Sequence, residues 1–377
     1  MSRWHSPMVV LVCGSVLLSI TLGIRHTFGL FLQPMSMDHG WGREVFGLGA
    51  ALMNLLWGLS QPFTGMLADR FGAVRVLFIG GILYTAGVLC MATATTPLVF
   101  VLGVGVLVGL GMSAATFSTV FGAFGRNFPP EKHSMVLGIG SAAGSVGQFA
   151  LLPLALAIIT WQGWFTGLLV LAALAALVAP LSLGVHDQGY GSQPQASGLT
   201  LTEALREAFA QRGFWLLTLG YFTCGFQIVF IGTHFPAFLL DRGLTAADGT
   251  VALALIGLFN ILGSWGAGWL GSRFPRTYLL AAIYASRGLA IIALLAFPLT
   301  SWSAYAFGAV LGFGWLATVP LTTGVVAGMF GVKHLAMLSG LVFLSHQVGG
   351  FFGGWLGGYL FDATGSYQVV WMIAIAL

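Results

Sequence analysis

Two uncharged runs of about 20 residues each, Val45–Ala68 and Val76–Thr96, sit on either side of one tight charged knot, Gly65-Met66-Leu67-Ala68-Asp69-Arg70-Phe71-Gly72-Ala73-Val74-Arg75. A helix rises about 1.5 Å per residue, so either run is long enough to cross a hydrocarbon core about 30 Å thick. Lipid offers the backbone no hydrogen-bond partners, so such runs must be helical, and the knot becomes a short loop at one membrane face.

The rest of the chain obeys the same constraint. Of the 377 residues, 58% are hydrophobic and 6% charged, against about 25% charged in a soluble domain. With a mean hydropathy of +0.94, the chain is an all-α integral membrane protein. Length, apolarity and breakers predict helices near 8–33, 44–68, 74–93, 97–122, 134–158, 162–184, 214–240, 249–271, 276–297, 302–327 and 335–360. A twelfth begins near Tyr367, but the sequence stops at Leu377, so this helix is expected to be truncated. Arg3 and His5 before an apolar run imitate a secretory signal, yet the run continues to Pro34 without a small-residue cleavage site; it reads as a retained first span.

Composition also narrows the function. The three cysteines, Cys13, Cys90 and Cys224, fall in apolar runs and do not suggest a disulfide framework. A net charge of +4 is ordinary for basic loops and does not imply nucleic acid. The scattered histidines lack metal-ligand spacing, and no nucleophile–base set is clustered, so neither an enzyme nor a metal or other cofactor is expected. No GxxxxGK[ST] run is present, which leaves a gradient as the energy source.

Loop charges set the topology. With the N-terminus in the cytoplasm, Arg3, Arg70, Arg75, Arg126, Lys132, Arg206, Arg212, Arg273, Arg276 and Lys333 all lie inside, and only Arg43 and Arg242 lie outside. This predicts a multi-pass protein of the inner (cytoplasmic) membrane. The longest polar interval divides the chain into a six-helix bundle over 1–185, a cytoplasmic linker over 186–213 and a second bundle over 214–377. Within the linker, Thr202–Gln211 has Leu201, Leu205 and Phe209 recurring every four residues and reads as a short amphipathic helix.

The two halves share one plan. A degraded copy of the knot, Gly268-Trp269-Leu270-Gly271-Ser272-Arg273-Phe274-Pro275-Arg276, stands 203 positions on, with Ser272 in place of Asp69. Glu131-Lys132-His133 and Val332-Lys333-His334 likewise open corresponding helices, each followed by a glycine-containing run.

The knot resembles the signature loop of the major facilitator superfamily, GxLaDRxGxRxxL, through Gly65, Leu67, Asp69, Arg70, Gly72, Arg75 and Leu77. The resemblance implies two six-helix bundles with pseudo-two-fold symmetry and a cytoplasmic latch built on the aspartate and arginines of the loop. More narrowly, Gly23-Ile24-Arg25-His26-Thr27-Phe28-Gly29-Leu30-Phe31-Leu32, Phe343-Leu344-Ser345-His346-Gln347-Val348-Gly349-Gly350 and Gly357–Tyr367 look like the bacterial monocarboxylate-porter and oxalate/formate-antiporter branch. Two departures matter. The eighth helix lacks the substrate-binding arginine of that branch and carries Asn260 instead, and the fourth and fifth lack the buried arginine and the glycine–proline order of proton-coupled drug exporters.

Independently of family, the charges inside the membrane point to a ligand. All ten acidic residues fall in loops or at helix ends, but Arg25 and Arg287 lie deep in the first and ninth helices. A mid-bilayer arginine costs at least about 2.5–3.5 kcal/mol and so requires a cavity or a partner. No intramembrane carboxylate can serve, and an anionic substrate would fit the guanidinium fork. Arg287 has a second reading as a brace for Asn260 or Gln227, oriented by Tyr284, because the family resemblance implies that the ninth helix packs peripherally. His26 points about 100° from Arg25 around the helix and is not expected in the same cavity.

His346 and Gln347, near mid-depth, are candidates for substrate or proton contact. Asn54, Gln61, Gln148, Gln227 and Asn260 each interrupt an apolar run and line a cavity or join helices. The substrate set is therefore Arg25, Arg287, His346, Gln347, Asn54, Asn260, Gln227 and Tyr284; the cytoplasmic gate is Asp69, Arg70, Arg75 and Arg126. The expected function is secondary transport of a small organic anion, a monocarboxylate, by proton-coupled symport through alternating access. Its partners are that anion, protons and the bilayer, with the chain acting as a monomer; anion exchange and efflux of hydrophobic compounds are the alternatives.

Overall fold

A computed structural model describes residues 6–186, 201–330 and 335–377, without the side chains of 69, 130, 131, 133, 134, 201–205 and 335–337. Lys333 and His334, and with them part of the second repeat signal, lie outside the described residues. The first helix, α1 (Pro7–His39), starts where the Ser6 side chain accepts from the Val9 N–H and stops at Gly40, whose φ of 66° needs a residue without Cβ. It is followed by α2 (Arg43–Phe71) and α3 (Ala73–Thr93).

The fourth predicted span is interrupted. It runs as α4 (Pro97–Val101), a π-helical stretch (Leu102–Val108) and α5 (Gly109–Ala114), breaks at Ala115 and Thr116, and resumes as α6 (Phe117–Asn127). The fifth and sixth spans are continuous in hydrogen bonding as α7 (Pro130–Ala176), but Gly163 at φ 83° turns the chain between them, and α8 (Val178–Ser182) finishes the sixth. The linker helix α9 (Leu201–Ala210) forms as the periodicity predicts, with Ala208 buried and Phe209 exposed.

In the second bundle, α10 (Arg212–Asp241), α11 (Ala246–Gly271) and α12 (Arg276–Ala296) match the seventh to ninth spans. The tenth is broken into α13 (Ser301–Gly314) and α14 (Thr318–Phe330); α15 (Leu335–Thr364) is the eleventh, and α16 (Gln368–Ala376) the beginning of the twelfth. Eight helical runs among the described residues are long and apolar enough to cross a membrane, with Met135–Ser182 counted as one.

The sequence repeat is also a repeat of contacts. A Cβ on Gly147 of α7 would collide with the Ser19 carbonyl of α1, and one on Gly349 of α15 with the Phe222 carbonyl of α10. These two approaches occupy corresponding places, about 202 positions apart. The helix breaks correspond too, at Ala115–Thr116 in one bundle and Trp315–Ala317 in the other. In lipid, helices gain by close backbone packing rather than by a hydrophobic contrast, and glycine permits that approach.

The bundles meet along α2 and α15, α7 and α11, and α1 and α10. At the end carrying residues 40–42, 242–245 and 365–367 they are joined tightly: a Cβ on Gly358 would strike the Arg43 carbonyl, and one on Gly47 comes within 2.5 Å of the Gly354 carbonyl. At the opposite end, near the signature loop, Gly65, Gly138, Gly266, Gly268 and Gly340 each have open space where a Cβ would stand. The first of these ends is sealed by these contacts.

Candidate functional site

Among the described residues, every carboxylate side chain sits in the first or last turn of its helix, as Asp38, Glu44, Asp241, Asp248 and Asp362 do. The two arginines deep in the spans, Arg25 half-buried and Arg287 buried, are therefore held by other means, and differently from each other.

Arg25 faces the junction of the bundles. Its Nη2 donates to Asn54 Oδ1 at 2.8 Å, its guanidinium stands 5.3 Å from the Trp57 ring centre, and its buried Nε has no partner. Asn54 is fully buried, and its amide is oriented by donation to the Ala50 carbonyl. The Asn54 carbonyl in turn accepts from Gln347 Nε2 at 3.0 Å, and Gln347 Oε1 lies 2.9 Å from His346 Nδ1. The His346 ring packs between Tyr221, 4.9 Å away, and Phe343, one turn earlier at 5.9 Å. A polar chain thus runs from α1 through α2 into α15, joining Arg25, Asn54, Gln347 and His346 across the bundle interface.

Arg25 lines a cavity of about 20 Å³ with His26, Phe28, Gly29, Ala50, Met53, Asn54, Ile228, Val229, Gly232 and Thr233, room for about one water. His26 therefore shares the cavity with Arg25, contrary to the expectation from helical angle. A 100° step still leaves neighbouring side chains on adjoining faces, and both border this junction.

Arg287 is put to another use. At 1% exposure, its Nη2 donates to the Gly314 and Trp315 carbonyls, the latter at 2.8 Å, and its Nη1 lies 3.1 Å from Cys224 Sγ. Those carbonyls are the ones left without helical partners where α13 ends. Asn260 completes the repair, accepting from the Leu316 N–H at 2.9 Å while donating to Ser145 Oγ of the other bundle at 2.8 Å. Arg287 thus braces neither Asn260 nor Gln227; it holds the interruption of the tenth span. Tyr284 lies beside it, with the guanidinium 5.9 Å from the ring centre.

Gln227 is turned away from the Arg25 cavity, donating to the Ala374 carbonyl of α16 at 2.9 Å. Gln148 donates to the Leu253 carbonyl across the α7–α11 contact at 3.2 Å. Of the residues singled out at the signature loop, Arg70 and Arg75 are exposed, and Arg70 lies over Phe71. The Arg126 guanidinium folds back against Gly122, and the Asp69 side chain lies outside the described residues.

The strong polar junction is at the sealed end, where the sequence offers His234, late in the seventh helix, as its one candidate gate residue. Arg43 forms a two-pronged ion pair with Asp241 of the other bundle, 2.7 Å for one prong, and its guanidinium covers the Phe361 ring at 3.8 Å. It also donates to the Tyr367 hydroxyl at 3.0 Å. Asp362 accepts from the N–H groups of Arg43 and Glu44 at 2.9 and 2.7 Å, capping α2 from the opposite bundle where Gly42 offers no side chain. Trp355 donates to Glu44 at 3.1 Å. One sequence signal was available: Arg43 and Arg242 are the only two basic residues assigned to that side, each beside acidic residues at helix ends.

This arrangement, two pseudo-symmetric bundles of membrane helices meeting at a polar junction, is that of a membrane transporter. The chain matches the Major Facilitator Superfamily over residues 11–353 and belongs to that family. It is 28% identical to the uncharacterized MFS-type transporter YcxA of Bacillus subtilis (strain 168), covering 93% of this chain and 87% of that protein. It is 27% identical to monocarboxylate transporter 11 of Homo sapiens, covering 98% and 80%. Among solved structures, a bacterial homolog of the human lysosomal transporter Spinster, inward-facing and unoccupied, superposes with a TM-score of 0.76 at 18% identity, over 96% of this chain and 84% of that one.

Proposed function

We propose that the protein carries a small monocarboxylate across the inner membrane by proton-coupled symport, with its N-terminus in the cytoplasm. The observation that carries this reading is Arg25: a half-buried guanidinium at the bundle junction with one neutral amide as its hydrogen-bond partner and a buried Nε without one. As it stands the cavity has room for about one water; once the bundles part and widen it, a carboxylate bound there would neutralise the charge and fill the fork, against apolar walls from Phe28, Met53, Ile228 and Val229. Asn54, Gln347 and His346 form the polar chain that orients the site. The similarity to monocarboxylate transporters points the same way.

The tally of basic residues makes the sealed end extracellular and the signature-loop end cytoplasmic. On that orientation the substrate enters from outside only once the Arg43 junction parts, and it leaves towards the cytoplasm. Arg287, Asn260 and Gln227 are assigned to holding helices rather than to contacting substrate.

Uptake of radiolabelled lactate and pyruvate into proteoliposomes, with and without an inward proton gradient, tests the proposal. Wild-type uptake is expected to rise with the gradient, and Arg25→Gln to lower it at least tenfold with the protein still monodisperse. Unchanged uptake in Arg25→Gln would remove the role of Arg25. Uptake that needs an anion inside the vesicle and ignores the proton gradient would make the carrier an exchanger.

A further inference from the structure

His234 of α10 is completely buried inside the sealed end, yet nothing in the substrate site uses it. Its Nε2 lies 2.8 Å from the Gly354 carbonyl of α15, which can only accept, so Nε2 carries the hydrogen. Its Nδ1 lies 3.2 Å from the Tyr367 hydroxyl. That hydroxyl already accepts from Arg43 Nη1, which can only donate. The one hydrogen of Tyr367 is therefore directed at His234 Nδ1. A circuit closes in which Arg43 donates to Asp241 and Tyr367, Tyr367 donates to His234, and His234 donates to Gly354.

The circuit fits the neutral imidazole alone. A second ring proton would turn Nδ1 from acceptor to donor, facing an O–H aimed at it, and would place a positive ring across one hydroxyl from the Arg43 guanidinium. The ring is closely packed against glycines: a Cβ on Gly357 would collide with it, and one on Gly47 would stand 3.4 Å from its Nε2. The other charged groups here are already engaged. Asp241 is paired with Arg43, Asp362 caps α2, and Glu44 accepts from Trp355. None of them faces the ring to offset an added charge; Phe230 and Tyr367 do.

We propose that His234 is a proton-binding site of the outer seal, and that its protonation from the extracellular side expels Arg43 from Tyr367 and opens the bundles on that side. The proposal rests on the proton-coupled reading above and supplies its missing step: the proton that drives uptake also unlocks entry. Acid outside then favours the state that loads substrate.

The test uses the full chain in lipid nanodiscs, with spin labels at Thr95→Cys and Arg242→Cys in a Cys13→Ser, Cys90→Ser background, and no substrate. Lowering the pH from about 8 to about 5.5 is expected to shift the inter-label distances toward a longer, open population, changing the open-to-closed ratio about tenfold. In His234→Gln, which keeps a donor for Gly354 but binds no proton, the distances should stay short at both pH values. Tyr367→Phe, which preserves the ring packing, should raise the open fraction at pH 8 and flatten the pH response. A pH shift that survives in His234→Gln, or a parent protein that ignores pH, overturns the proposal. The uptake assay judges the carrier reading separately. Lactate uptake with pH-insensitive distances would sink only the His234 step, whereas pH-gated distances without carboxylate uptake would leave that step standing and discard the substrate.

Discussion

Two arginines, equally conspicuous in the sequence, meet different fates because of what surrounds them. Both have an Nε without a partner, but Arg25 otherwise has one neutral amide, whereas Arg287 spends the rest of its fork on two carbonyls and a thiol. The internal repeat explains the second case. Arg287 stands 203 positions after Tyr84, and Cys224 stands 203 after Thr21; Tyr84 donates to the Thr21 carbonyl at 2.8 Å just as Arg287 reaches Cys224. Both residues tie the peripheral third or ninth span to the first or seventh. The depth of a charge was legible in the sequence, but its partners were not, because backbone carbonyls freed by a helix break leave no mark in side-chain counting. Removing the two arginines should therefore separate two effects. Arg287→Met leaves buried carbonyls without their donor and is expected to cost about 1–3 kcal/mol, read as a fall in the thermal unfolding midpoint in detergent. Arg25→Gln should leave that midpoint within a few degrees while abolishing carboxylate uptake. Asn54→Ala, which releases Arg25 from its partner, is expected to weaken half-saturation for substrate by a factor corresponding to about 1–3 kcal/mol.

Among the helices, the spans themselves were legible almost to their ends, since length, apolarity and loop charge depend on the bilayer rather than on tertiary detail. The interruptions of the fourth and tenth spans were not. Ala115–Thr116 contains neither proline nor glycine, whereas Trp315–Ala317 stands between Gly314 and Pro320, whose missing N–H frees the Leu316 carbonyl, a signal that length and apolarity alone pass over. Each is maintained from outside: Trp57 Nε1 donates to Thr116 Oγ1 at 3.1 Å in the first bundle, and Asn260 and Arg287 share the task in the second. Inside a bilayer a broken helix survives only where neighbours satisfy its backbone. The load is uneven, because Trp57 bonds a side-chain hydroxyl whereas Asn260 bonds the backbone itself. Asn260→Leu, which strands the Leu316 N–H and Ser145, should destabilise the protein by about 1–3 kcal/mol. Trp57→Phe, which leaves Thr116 bonded to the Met112 carbonyl, should cost about 1 kcal/mol or less of hydrogen bonding. Comparable unfolding midpoints for the two variants would refute this difference.

For the molecule as a whole, the position of the latch matters more than its composition. The signature loop drew attention to the cytoplasmic side, where family resemblance implies a latch. In this conformation the described inter-bundle ion pair, Arg43–Asp241, lies at the other end, with Asp362 capping α2 across the interface. Both bonds join different bundles, so both must break when the sealed end opens and neither constrains the opposite end. That is the property required of a contact that sets the balance between two states. Partial exposure, 12% for the Arg43 side chain and 27% for Asp241, limits what the pair contributes. A two-pronged charge pair of this kind is nevertheless stronger than an ordinary surface bridge. If Asp241→Asn moves the equilibrium by about 1.4 kcal/mol, the open population rises about tenfold. Thr233, at the cavity wall just inside the seal, provides the readout. A membrane-impermeant thiol reagent applied outside right-side-out vesicles should modify Thr233→Cys about ten times faster in Asp241→Asn than in its parent. Arg43→Gln should accelerate it at least as much, because it also frees Tyr367. Equal rates in all three backgrounds would mean that the apolar and glycine contacts of α2 with α15 hold the outer side closed without help from the charges.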